Sequence, residues 1–223
     1  MRGILVFISL YLFLPNISNA GEVFSKIPLN IDSDGKYIVY SHGLIVEGID
    51  PRPVHPDWGI YDFPAIKDAL AEPDFTVIAL HRPKGIDAKT HSLKLASVVR
   101  KLMSKGVRAE QITMVGFSQG GYITALASNE LVDTPIDTVI LAACWSWIEM
   151  EKEVKLNGNV LSIFELSDGV GSCNSLGKRS EAIYSFKEIS INTGLNHGAF
   201  FQPRSQWIEP IKDWINSLSH DNK

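Results

Sequence analysis

The chain has 223 residues, 45% of them hydrophobic, with a formal charge of −4. That length supports one α/β-sized domain with a full core and leaves too little for a comfortable second one. The mild acidity excludes the basic footprint of a nucleic-acid surface, so no nucleic-acid partner is expected.

Residues 1–20 read as a secretory signal peptide. Arg2 supplies the positive start, Ile4 to Leu14 an apolar run broken only by Ser9, and Ser18-Asn19-Ala20 the small residues before a cleavage point. The run is too short for a hydrocarbon core, which takes about twenty residues. No later segment is long and apolar enough to span a bilayer. The expectation is an exported chain, secreted or periplasmic, with a single domain over residues 21–223.

Beyond the leader, apolar β-branched runs alternate with helical patterns. Strands are expected at Tyr37–Tyr40, Phe75–Leu80, Ile112–Val115, Thr138–Ala142, Val160–Glu165 and Glu188–Ile191. None alternates strictly, as befits strands buried on both faces of a mainly parallel sheet. Helices fall between them. Asp62 caps one running to Ala71; Thr90 to Lys105 carries Leu95, Val98, Val99 and Leu102 on one face, with Gly106 as its terminal cap. Further helical stretches are Tyr122 to Leu131, a weaker Arg179 to Tyr184, and a C-terminal one spacing Trp207, Ile211, Trp214, Ile215 and Leu218. Pro210 should kink this last helix or mark its start, and His220 to Lys223 should fray. The architecture expected is a three-layer α/β/α sandwich around about six strands.

Gly116-Phe117-Ser118-Gln119-Gly120 stands between the Ile112 strand and the following helix. So tight a strand-to-helix turn forces its central residue into a strained conformation and leaves the side chain protruding. Ser118 is the candidate nucleophile. A serine hydroxyl needs a base, and of six histidines His197 follows the last strand, in Leu195-Asn196-His197-Gly198, where Gly198 lets the loop turn sharply. His91 on an early helix and His220 in the tail read as solvated surface. The acid that orients the imidazole is assigned to Asp168, in Leu166-Ser167-Asp168-Gly169; Glu165, at the end of its strand, is the rival. Two backbone N–H groups must face the developing oxyanion. Gln119 supplies one, and the amide of Leu44, in Ser41-His42-Gly43-Leu44, the other.

The elbow, the His42-Gly43 loop and the order Ser118, Asp168, His197 resemble the α/β-hydrolase fold family over roughly Lys36 to Leu218. The resemblance implies a Ser-His-Asp hydrolase with neither metal nor organic cofactor, acting on a small-molecule ester or acyl substrate. Esterase, thioesterase, peptidase and acyltransferase chemistry share this machinery, and a non-catalytic binding protein on the same fold remains an alternative. Oligomeric state is open. The short stretch from Gly21 to Lys36 leaves no room for the family's long antiparallel entry, and no cap domain fits between Cys144 and Val160.

Between Leu44 and Tyr61 a proline-stiffened loop carries Arg52 and His55, read either as substrate contacts, for a carboxylate or phosphate, or as part of a rigid surface connection. His42 is a further candidate contact, and Trp145 and Trp147 either wall an acyl pocket or pack in the core. Cys144 ends the fourth strand and Cys173 follows the acid, so in an exported chain a disulfide would fasten the Asp168 loop to the sheet; two buried free thiols are the alternative.

Overall fold

Seven strands, every neighbouring pair parallel, form the central sheet of the computed structural model, which describes residues 21–134, 136–146, 148 and 151–218. The expected signal peptide, Trp147 and the tail from His220 lie outside the described residues. In chain order the strands are β1 (Glu22–Phe24), β2 (Lys36–Ser41), β3 (Val54–His55), β4 (Gly59–Ile60), β5 (Phe75–Ile78), β6 (Ile112–Phe117), β7 (Asp137–Leu141), β8 (Asn157–Glu165) and β9 (Ala182–Ile191). β3 and β4 make a separate antiparallel pair, and the main sheet runs β1-β5-β2-β6-β7-β8-β9.

Inside the sheet, side chains alternate between two cores. Ile38 and Tyr40 of β2 point to one face and Tyr37 and Val39 to the other, as the period of two requires. On the first face lie α1 (Phe63–Ala71) and α5 (Ser205–Leu218), packing Ile66, Leu70, Trp207, Ile211 and Trp214. On the second lie α2 (Ala88–Met103) and α3 (Gln119–Asn129), packing Leu95, Val98, Val99, Leu102 and Ile123. Both layers of helix are therefore present, as expected.

Several boundaries differ from the sequence reading. β1 is a seventh strand, added parallel to β5 through Glu22↔Thr76 to Phe24↔Ile78; three residues carry no readable period. β9 begins at Ala182, not Glu188, and the helix expected at Arg179–Tyr184 is instead α4, Asn174–Arg179, ending where that one was to begin. As an edge strand, β9 pairs on one side only and is largely exposed, with Tyr184 in the open, so it lacks the apolar signature of a buried strand. Capped by the Asp87 carboxylate, which accepts from Thr90 N–H at 2.7 Å, α2 starts two residues early. Pro210 is neither start nor end of α5, which begins at Ser205 and runs through it.

His91 is the sharpest correction. Its side chain on α2 is buried, with no hydrogen-bond partner at either ring nitrogen among the described residues, not solvated. Burial, then the Arg82 charge, pulls its pKa down to about 4.

The chain moves outward from β2 to β5 and then crosses to β6 on the other side of β2. The carboxyl ends of β2 and β6 thus flank the crevice where strand order reverses, the usual ligand position in an open parallel sheet.

Candidate active site

β6 ends at Phe117 and α3 begins at Gln119, so Ser118 alone makes the turn, with φ 54° and ψ −123°. A side chain other than glycine held there costs about 1–3 kcal/mol. The surroundings hold it: Ser118 N–H donates to Leu141 O at 2.9 Å, and its carbonyl accepts from Tyr122 N–H at 3.1 Å. The two glycines are required by space. A Cβ at Gly116 would lie 2.4 Å from Gly120 O, and one at Gly120 2.0 Å from Ser41 O. Gly120 thereby presses the start of α3 against the end of β2.

That contact brings the loop after β2 beside the elbow. A short 3-10 turn, Leu44–Val46, opens it. Leu44 and Gln119 each begin a helical segment, where backbone N–H groups have no intrahelical acceptor. His42 sits beneath. Arg82 N–H donates to its Nε2 at 2.9 Å, so Nδ1 carries the hydrogen and donates to Gly43 O at 2.8 Å. Burial foremost, then the Arg82 charge, pulls the His42 pKa down to about 2, keeping the ring neutral and this tautomer fixed. The Gly43 carbonyl is drawn inward to the imidazole, and because a trans peptide sets C=O and N–H opposite, Leu44 N–H points away from it. His42 is fully buried with both nitrogens engaged, so it cannot touch a substrate as expected; it supports the loop.

Asp168 and His197 meet. Imidazole Nδ1 and carboxylate Oδ2 are 2.6 Å apart, and the two side chains are 6% and 4% exposed. A carboxylate accepts, so Nδ1 is the donor and Nε2 faces away from the pair. Glu165 does not reach the imidazole; its carboxylate bonds Ser167, Thr193 and Gly194. The 3-10 turn Asn196–Phe200 carries His197 from β9 back across the sheet until its ring lies 4.7 Å, centroid to centroid, from that of Phe117, the residue before Ser118. No hydrogen bond joins Ser118 Oγ to His197 among the described residues.

Aromatic rings wall this corner. Trp145 lies 5.5 Å and Trp58 5.3 Å from the His197 ring, with Phe201 5.6 Å from Trp58. Trp145 therefore stands at the site. Trp58 comes from the Leu44–Tyr61 loop, which does fold against the histidine. His55 stacks on Trp58 at 4.0 Å, and Arg52 pairs with Asp62 at 3.1 Å. Sequence reasoning passed over Trp58, Phe117 and Phe201 as site residues; only their neighbours, a proline-stiffened loop and the two glycine-flanked turns, hinted at them. Gly198 serves closeness, not turning: the positive φ of 51° falls on Asn196, while a Cβ at Gly198 would stand 2.7 Å from Trp58 Cβ.

Cys144 and Cys173 form a disulfide, Cα atoms 5.2 Å apart, tying the segment after β7 to the loop beyond Asp168. No helix among the described residues is long and apolar enough to cross a membrane.

Residues 75–170 match the protein family described as Phospholipase/Carboxylesterase, a stretch holding Ser118 and Asp168. No curated protein matches the sequence. Among solved structures, a truncated carbohydrate esterase from gut microbiota is similar at 14% identity and a TM-score of 0.56, over 87% of this chain and 89% of that one. DcsB, solved with its substrate analogue, shares 12% identity at a TM-score of 0.57, over 84% of this chain and 92% of its own. A CIB-like hydrolase from Thermoplasma acidophilum shares 14% at 0.56, over 84% and 89%. Likeness at such identities establishes the fold.

Proposed function

We propose that this protein, whose chain has the α/β-hydrolase fold, is an exported serine hydrolase that cleaves a carboxylic ester through an acyl-enzyme. One observation carries the reading: a serine is held at φ 54° on a strand-to-helix turn, and the ring of the preceding residue, Phe117, lies 4.7 Å from that of a histidine bonded to a buried carboxylate. The phospholipase/carboxylesterase match and the esterase among the structural relatives point to the same class.

In this mechanism Ser118 Oγ attacks the ester carbon while His197 Nε2 takes its proton. Asp168 holds the Nδ1–H and stabilises the imidazolium. The apo geometry leaves the Oγ–Nε2 bond unformed, and it closes when substrate packs the site, as catalytic hydrogen bonds commonly do. Leu44 and Gln119 N–H groups receive the oxyanion, each worth about a hundredfold to a thousandfold in turnover. His197 then gives the proton to the leaving alkoxide, and water, activated by the same imidazole, releases the acid. Leu44, Leu166 and Leu195, exposed on loops at this edge, with Trp58 and Trp145, suit an apolar acyl group. The disulfide and the apolar leader support export.

A fluorophosphonate probe tests the reading directly. Wild type should label covalently and hydrolyse p-nitrophenyl esters, and Ser118→Ala should do neither. Folded, oxidised wild type that fails to label would end it.

A further inference from the structure

Glu165, the last residue of β8, is completely buried and belongs to no ion pair among the described residues. Hydrogen bonds take the place of a cation. Oε1 accepts from Ser167 N–H at 3.3 Å, Ser167 Oγ–H at 3.0 Å and Gly194 N–H at 3.3 Å, and Oε2 accepts from Thr193 N–H at 2.9 Å and Oγ1–H at 2.8 Å. These five donors come from two separate loops. Ser167 immediately precedes Asp168; Thr193 and Gly194 lead into Asn196 and His197. Ser167 Oγ also accepts from Asn196 N–H at 3.1 Å, closing a second link between the same loops.

A buried carboxylate left without such donors is costly, so Glu165 fixes its donors as strongly as they stabilise it. Burial pushes its pKa up, but the Thr193 and Ser167 hydrogen bonds outweigh this and leave it below the ordinary carboxylate value. The group stays charged, and charged acceptors make the stronger bonds.

We infer that Glu165 is a positioning residue that clamps the Asp168 and His197 loops together and so sets the 2.6 Å contact between those two side chains. It touches neither substrate nor the reacting atoms. Its part in catalysis rests on the serine-hydrolase reading above; its part in the Asp168–His197 contact does not. Without the clamp, the Asn196 N–H to Ser167 Oγ bond is left to join the two loops, and the imidazole is held less firmly relative to Ser118. Misplacement of about 1 Å can lower turnover by roughly a hundredfold.

The test uses the full chain and two readouts: kcat and KM for p-nitrophenyl acetate, and the strongly deshielded proton resonance of the His197 Nδ1–H bonded to Asp168. Glu165→Gln keeps the volume but turns one acceptor oxygen into a donor facing other donors. It should lower kcat by about tenfold to a hundredfold, leave KM within about twofold, and broaden or shift the resonance. Should that variant not fold, Thr193→Val and Ser167→Ala each remove a hydroxyl from one side of the clamp. Both should lower kcat in part, and Thr193→Ser should restore it, since a loss of packing alone would not be rescued by the smaller side chain. Wild-type kcat with an unmoved resonance in Glu165→Gln overturns the inference, as does failure of Thr193→Ser to rescue. An inactive wild type whose resonance still depends on Glu165 would sink the hydrolase reading and leave the clamp standing.

Discussion

The indole of Trp58 lies 5.3 Å from the imidazole of His197, centroid to centroid, and reaches it because residue 198 has no side chain. A methyl at Gly198 would meet Trp58 Cβ at 2.7 Å, and both atoms are fixed to backbone. Gly198→Ala should therefore shift the histidine turn and slow p-nitrophenyl ester hydrolysis by about tenfold or more, with the fold intact by circular dichroism. Trp58→Gly, which deletes the colliding atom, should recover part of that loss in the double variant. Additive effects in the double-mutant cycle would contradict the contact.

His42 predicts a loss of a different kind. Its removal in His42→Ala takes the acceptor from Arg82 N–H and leaves Gly43 O only the longer bond from Val46 N–H at 3.4 Å, so the Gly43–Leu44 peptide is held less firmly. If Leu44 N–H receives the oxyanion, kcat should fall, by up to the roughly hundredfold to thousandfold of one lost donor, while KM changes little. An unchanged kcat would mean that the peptide is held without the imidazole.

Acid stability follows from the two buried neutral histidines. Their pKa values lie below the ordinary 6.5, at about 4 for His91 and about 2 for His42. Above pH 6.5 both folded and unfolded forms are neutral and stability is at its full value. As pH falls below 6.5 the unfolded chain takes up protons that the folded one refuses, so stability drops, for His91 until about pH 4. The His91 share is about 3 kcal/mol, an order-of-magnitude figure. His91→Leu should flatten the fall of Tm between pH 6.5 and pH 4 relative to wild type; parallel curves would show that the ring is protonated in place.

The disulfide should stabilise the folded chain through the unfolded one. Closing the 29-residue separation between Cys144 and Cys173 removes loop entropy worth roughly 3–4 kcal/mol. The Cys144→Ala/Cys173→Ala double variant should lose about that much in urea unfolding. Equal midpoints for the two proteins would argue that the bridge is dispensable.

Much of the architecture is legible in the chain because its cause is local. Buried parallel strands are apolar runs, so β2, β5, β6, β7 and β8 announce themselves, and the Gly116–Gly120 segment declares a strand-to-helix turn by its glycines. Edge strands escape, since β1 has three residues and β9 is half solvated. The partnership of Asp168 with His197 is expected from their places after successive strands, while the preference for Asp168 over Glu165 rests only on its standing beyond the strand end. Both carboxylates stand within a few residues of one strand end, and which of them faces the imidazole depends on where the loop from β9 returns.

By itself the sequence determined what neighbouring residues decide: which buried runs are strands, where the chain turns at Ser118, and that Asp62 caps the first helix. Tertiary structure alone decided what depends on residues far apart. It buried His42 and His91, drew Trp58 over His197 from a loop nearly 140 positions away, and gave the Glu165 charge five donors from two loops instead of a cation. Burial and hydrogen-bond supply are properties of packed space, and no window of chain contains them.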